Sequence, residues 1–456
     1  MKAHKNWSYS PYRPPFYEVG DIYINRIAPN KNSIHFEWQD TGDTEYEVFL
    51  RKRGAEKFIL IGKTKKNEFT INNLDTVTDY EFYVTAGNKK SRTRIARCGT
   101  SFGTVVNYLH PDDLAYSFSG RYLCSPSLVR HPDGYLLASM DLFAGNYPQN
   151  LTLIYRSDDN GKTWHYISEL FPCFWGKMFI YQNELYMLAC STEYGDLLIG
   201  KSADGGKTFS EPTVLMRGSG GKNGESGWHK NPQPVIESYG RVWNTVEYGS
   251  WARGFHAVSV MSAKIGSDLL SDDSWLFSEP VKYNPDWKGL PKGKSVGNIE
   301  GCLVEKDNKL YNIMRYEMTK MSPNFGYVIA YEADTKNPEN PLKYKKCIRF
   351  PANHSKFEMK YDEKTKKYYS IASRIISEKY PYARNLLSLM ASEDLENWYL
   401  VRDIMDMSSE DSEKIGFQYV DFIIENGKIL FLCRTAMNGA ANFHDSNYSV
   451  FDVIDI

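Results

Sequence analysis

No apolar run in this 456-residue chain is long enough to cross a bilayer, which excludes a helical membrane span from the reading. The opening residues, Met1-Lys2-Ala3-His4-Lys5-Asn6-Trp7, lack the apolar centre of a secretory leader. The chain as written is therefore expected in the cytoplasm, or outside the cell if a leader has been removed ahead of it. It has no excess of either charge: 55 Lys and Arg stand against 56 Asp and Glu. Nothing draws the whole molecule to nucleic acid or to an anionic membrane. The cysteines (Cys98, Cys124, Cys173, Cys190, Cys302, Cys347 and Cys433) are odd in number, scattered, and without metal-ligand spacing. They read as buried thiols inside strands, with no disulfide framework, no metal site and no cofactor expected.

What the chain does have is aromatic residues, 14% of the total with 33 Tyr, as suits strands and also sugar handling. It also has a repeated phrase. Ser157-Asp158-Asp159-Asn160-Gly161-Lys162-Thr163-Trp164 returns as Ser202-Ala203-Asp204-Gly205-Gly206-Lys207-Thr208-Phe209, each time after a strand-like run. Asp can bond amides across the turn, Gly takes the positive φ, and the aromatic folds back on the hairpin. Repeated hairpins at a period of roughly 40 to 60 residues predict a propeller. The phrase resembles the Asp-box (BNR repeat) of sialidase-type propellers, where it is a structural staple and not a catalytic element.

Residues 14–103 read as a small β-sandwich of short alternating runs, among them Ser33 to Trp38, Glu68 to Ile71 and Asp79 to Ala86. The stretch Leu74 to Tyr80 resembles the tyrosine corner of fibronectin type III domains, and Trp38 falls where their core tryptophan lies. The resemblance implies a spacer or docking module that chemistry can do without, with sugar binding as the alternative role. Residues 104–456 divide into six repeats aligned on the turns Pro132-Asp133-Gly134, Gln182-Asn183-Glu184, Tyr239-Gly240, Asp307-Asn308, Glu363-Lys364-Thr365 and Asn426-Gly427. The predicted fold is an all-β, six-bladed propeller behind the sandwich. The last repeat shows three clear strands, so Thr104 to Tyr108 is expected to supply its fourth and close the ring.

In a propeller the starts of first strands and the ends of second strands crowd around the central channel. The former are Ser125, Lys177, Gln233, Glu300, Lys356 and Tyr419; the latter are Asp141, Ser191, Glu247, Arg315, Ser373 with Arg374, and Arg434. Most are polar or charged, as a cleft that handles an anion would require. Here the chain resembles the sialidase family over about 350 residues. Asn298 to Glu305 followed by Leu310 to Arg315 is similar to the segment carrying the catalytic Glu and one arginine of the carboxylate-binding triad. Arg384-Asn385-Leu386 sits where another triad arginine is found, and Tyr419-Val420-Asp421-Phe422 is similar to the stretch carrying the nucleophilic Tyr. The first blade departs from the family: Cys124-Ser125-Pro126 replaces its Arg-Ile-Pro, and Ala144 to Pro148 has no acid/base Asp.

The resemblance implies a Tyr419 nucleophile that passes its proton to Glu300, a fitting device where the anomeric carbon carries its own carboxylate. Arg315 and Arg384 would hold that carboxylate through forked bonds, with Arg434 also in the substrate-binding set, and Asp141 is the nearest general acid, with His354 or His229 behind it. Glu247, His354 and Lys177 complete the expected substrate-binding set. The expected activity is an exo-acting glycoside hydrolase on a terminal, acidic sugar. Two alternatives stand beside it: a polysaccharide lyase on uronate glycans using Tyr419, His354 and Arg434, and a non-catalytic glycan-binding propeller.

Overall fold

The computed structural model describes residues 20–219, 225–291, 297–317, 326–352, 355–376 and 382–456. Among them the one helical element is a single 3-10 turn, Asp272–Ser274; all other regular structure is strand. Six antiparallel sheets follow one another as blades of a β-propeller. Blade 1 begins with Tyr122–Arg130 and Leu136–Phe143, blade 2 with Phe174–Tyr181 and Glu184–Cys190, and blade 4 with Gly297–Lys306 and Lys309–Glu317. Blade 3 has a broken first strand, Gly227–His229 and Ile236–Ser238, against Arg241–Ser250; blade 5 starts with Lys360–Asp362 and Lys367–Ser373. Blade 6 is Gly416–Glu425, Lys428–Ala436 and Tyr448–Asp455, completed by Thr104–Tyr108. Thr104 pairs with Phe451 and Tyr108 with Tyr448, which closes the ring with the strand expected to close it.

The hairpin turns used to align the repeats explain why that alignment holds. Gln182-Asn183, Tyr239-Gly240, Asp307-Asn308 and Asn426-Gly427 all have positive φ at both residues. This is the mirror-image turn whose twist matches that of its strands. The repeated Ser-x-Asp-x-Gly-x-Thr phrases are closed by their own side chains. Ser157 Oγ accepts the Gly161 N–H at 2.7 Å and Asp159 accepts the Thr163 N–H at 2.9 Å. Ser202 and Asp204 do the same for Gly206 and Thr208 at 2.8 and 2.9 Å. Trp164, at the end of the first phrase, is fully buried against Phe451 of blade 6, with ring centroids 5.3 Å apart.

Ahead of the ring, Ile24–Pro29, Ile34–Trp38 and Glu68–Ile71 form one sheet; Ile59–Thr64, Tyr46–Lys52, Asp79–Ala86, Lys89–Lys90 and Arg94–Arg97 form the other. Together they make the small β-sandwich; residues 14–19, also assigned to it from sequence, lie outside the described residues. Tyr80 Oη accepts the N–H of Asp75, five residues upstream, at 2.9 Å. One apolar cluster runs from the sandwich (Ile24, Phe36, Trp38, Val84) into the closing strand and its partner (Val105, Tyr108, Tyr448, Val450). Arg26 donates to the carbonyls of Val106 and Val105 at 2.8 and 3.0 Å, and buried Arg94 pairs with Asp113 at 2.7 Å. The shared core makes a sandwich deletion a test of stability before it is a test of chemistry.

Candidate functional site

Four innermost strands carry an irregularity at the same place. The pairing register shifts between Cys124 and Ser127, Phe174 and Lys177, Ile299 and Gly301, and Gln418 and Asp421. Within each shift one non-glycine residue takes positive φ: Ser125 at 49°, Trp175 at 53°, Glu300 at 55° and Tyr419 at 53°. A bulge re-aims a side chain, and a left-handed non-glycine residue costs about 1 to 3 kcal/mol unless its surroundings impose it. All four residues line one cavity of about 450 Å³, with Phe143, Tyr194, His229, Trp251, Arg434 and His444 among its other walls. This volume lies in the range of small-ligand sites, about 300 to 1,000 Å³.

One wall is built on Glu300. Tyr419 Oη donates to its Oε1 at 2.5 Å and Arg315 Nη1 to its Oε2 at 2.6 Å. Burial works to raise the Glu300 carboxyl, but Arg315, His229 and the Tyr419 bond outweigh it and hold the group below its ordinary value. Burial, with the Glu300 charge beside it, pushes the Tyr419 phenol up. The resting pair is thus a carboxylate and a protonated phenol. Arg434 lies 5.0 Å over the Tyr419 ring and donates to the His444 carbonyl at 2.5 Å. Arg384 donates to the Gln418 side chain. Its guanidinium is lowered to about 10 by burial and then by Arg315 and Arg434 nearby.

The rest of the cavity lining is aromatic and histidine-rich. Trp175 packs over His229 at 4.2 Å between ring centroids, and His229 Nδ1 meets Glu247 Oε2 at 2.6 Å. Tyr194 Oη lies 3.1 Å from His256 Nε2 and accepts the Trp251 N–H at 3.0 Å. Burial, reinforced by His229 and Arg315, drives the His256 pKa well down, so its imidazole is neutral. Glu193 also lines the cavity.

Several residues expected in the pocket are placed behind it. Asp141, the expected general acid, is fully buried and does not line the cavity. It accepts the Trp175 N–H at 2.6 Å and the Thr152 hydroxyl at 2.5 Å, and burial lifts its pKa to about 7. Lys230 holds the other side of the same residue, donating to the Trp175 carbonyl at 3.1 Å; burial lowers its pKa to about 7. Glu247 is likewise fully buried, joining His229 to the Gly301 N–H at 3.2 Å beside the Glu300 bulge. These carboxylates clamp the bulges of the next blade and do not reach a ligand directly.

Lys177 is corrected in the same way. It pairs with Asp421 in a buried cluster in which Lys360 reaches Asp421 at 3.5 Å and Glu358 at 3.3 Å, and Lys356 reaches Glu358 at 2.6 Å. The lining residue of its strand is Trp175, two positions earlier. The signal was present: Trp175-Gly176 matches Glu300-Gly301, and that shared glycine aligns the bulges. A Cβ on Gly301 would stand 2.2 Å from Asn312 Oδ1, so close approach requires glycine there. His354 lies outside the described residues. Tyr194, Trp251, His256 and His444 sit on loops or outer strands where no repeat pattern pointed to them.

No protein-family model and no curated protein matches the chain. Solved structures do. An α-L-arabinanase of Penicillium chrysogenum matches 78% of this chain and 99% of its own at 14% identity and a TM-score of 0.50. A GH93 α-L-arabinofuranosidase of Fusarium graminearum matches 78% and 98% at 12% identity and the same score. The NanB sialidase of Streptococcus pneumoniae covers 96% of this chain and 92% of its own at 10% identity and a lower TM-score of 0.47. At these identities the likeness is one of fold, and the shared fold is the all-β propeller.

Proposed function

We propose that the chain is a glycan-cleaving enzyme that removes a terminal, acidic sugar, acting as an exo-glycoside hydrolase. The observation that carries this reading is the Tyr419–Glu300–Arg315 contact, at 2.5 and 2.6 Å, in a pocket lined by Arg434, with Arg384 behind Tyr419. The arginines would take the sugar's carboxylate. Tyr419 Oη would attack the anomeric carbon as its proton passes to Glu300, and the bond to the departing glycan oxygen would break. A neutral phenol avoids the repulsion that a carboxylate nucleophile would meet beside the sugar's own charge. The departing oxygen would take a proton from Glu193 or the Glu247-held His229, which line the same pocket. Water would then release the sugar from Tyr419, giving its own proton back to that donor while Glu300 returns its proton to the phenolate. The arabinan-active proteins of like fold are in keeping with a carbohydrate ligand.

The His229–Glu247 pair favours a second reading, a uronate lyase. A carboxylate on Nδ1 fixes the tautomer that presents Nε2 as a base, and the arginines of the site would acidify the proton beside a uronate carboxylate. A panel of acidic glycans separates the two: a lyase yields an unsaturated uronate that absorbs in the ultraviolet, a hydrolase yields sugar without it. On a cleaved substrate, Tyr419→Phe should lower turnover by about 10²-fold or more while binding persists. Wild-type turnover in that variant would overturn the assignment of the site.

A further inference from the structure

The aromatic wall has two tiers. Trp175 lies deep, 8% exposed, while Trp251 stands at the mouth of the same cavity, 49% exposed. It is the most exposed of the described tryptophans. Its loop is held from several sides. The Trp251 N–H donates to Tyr194 Oη at 3.0 Å, Arg253 N–H to Ser250 Oγ at 3.2 Å, and Gly254 N–H to the Ser250 carbonyl at 3.1 Å. The indole meets the edge of His256 at 4.8 Å, and His256 is fixed in turn by Tyr194. A large ring kept half in solvent on a pinned loop is pre-organised to meet a ligand, with little ordering left to lose on binding. Tryptophan suits partners that are apolar on one face and polar at the rim. A pyranose ring is such a partner, with axial C–H groups on its faces and hydroxyls around its edge.

We propose that Trp251 forms a second subsite, a stacking platform for the sugar next to the terminal acidic one. This rests on the reading that the pocket takes a terminal acidic sugar. The terminal ring sits between Arg434 with Glu300 and the deep Trp175, while the penultimate pyranose emerges at the mouth and lays its C–H face on Trp251. The protein therefore selects a chain with a ring at the second position over one ending in a small aglycone, and the selection acts on affinity.

Binding by the Tyr419→Phe protein, expected to bind without cleaving, tests this. The probes are an array of sialylated and uronate-terminated oligosaccharides, followed by calorimetry on each hit as a disaccharide and as the methyl glycoside of its terminal sugar. Adding Trp251→Ala should weaken the disaccharide by about tenfold, the loss expected from removing a tryptophan anchor, and leave the methyl glycoside unchanged. Trp251→Phe should restore most of that loss. Equal weakening of both ligands, or of neither, overturns the second subsite and leaves the terminal-sugar reading standing. No binding to any acidic glycan by the Tyr419→Phe protein overturns both.

Discussion

Two groups of buried charges stand close together near the propeller axis, and they have been built to opposite ends. In one, Lys177, Lys356 and Lys360 interlock with Asp421 and Glu358, every member in contact with an opposite charge. In the other, Arg315, Arg384 and Arg434 gather around Glu300 and Tyr419, and Arg384 is disfavoured as a cation first by burial and then by the other two. Lysine and aspartate two residues beyond the bulges are sealed away; the bulge residues themselves are opened to a cavity. A balanced cluster serves cohesion. The group beside the cavity sets three guanidinium groups around a single phenol and carboxylate.

The sharpest way to break this contrast is Asp421→Asn. Losing the carboxylate leaves Lys177 buried without its partner and should cost about 3 to 5 kcal/mol in urea unfolding. A loss under about 1 kcal/mol would mean that the axial cluster is not a staple.

The clamps on Trp175 give the next effect, through pH. Folding raises the Asp141 pKa from 3.8 to about 7, so between those values the folded protein binds more protons than the unfolded chain and stability falls as pH rises. Lys230 runs the other way: its pKa falls from 10.5 to about 7, so stability climbs with pH over that interval. The two together place a minimum near neutrality. Relative to wild type, Asp141→Asn should flatten the acid limb by up to about 4 kcal/mol between pH 4 and 7, read by denaturant titration at each pH. Parallel curves for the two proteins would show that Asp141 keeps an ordinary titration.

Arg384→Met sharpens the comparison from the pocket side. Relieving its repulsion should leave stability within about 1 kcal/mol of wild type or raise it, while affinity for an acidic glycan falls by about 2 kcal/mol or more. Calorimetric unfolding and binding on the same preparation check both halves.

Much of the architecture was legible because turns carry their own chemistry. Asn426-Gly427 and Asp307-Asn308 can hold positive φ, and finding them at each repeat located the second strands, including the incomplete blade that Thr104 to Tyr108 completes. Glu300, Arg315, Tyr419 and Arg434 were legible as polar ends on apolar strands, and the structure brings them together with Arg384. What failed was the distinction between a polar residue that faces the cavity and one that faces the next blade. Asp141 and Glu247 satisfy backbone amides freed by bulges across a blade boundary, and alternation along one strand carries no trace of that. The bulge also shifts register, so Lys177 was read in the place of Trp175. Trp251 and Tyr194 follow second strands outside any repeat.

The closing strand has a consequence for the order of events during synthesis. Thr104–Tyr108 leaves the ribosome with the sandwich, long before its partner Tyr448–Asp455, with all the other blades made in between. Until that partner has been made, five blades and a partial sixth form an arc with an unpaired edge at each end, able to add strands from other chains. Contacts of such long separation form slowly. Low temperature or slow translation during expression, together with a chaperone that shields strand edges, should therefore raise the yield of soluble protein more than any change within a blade.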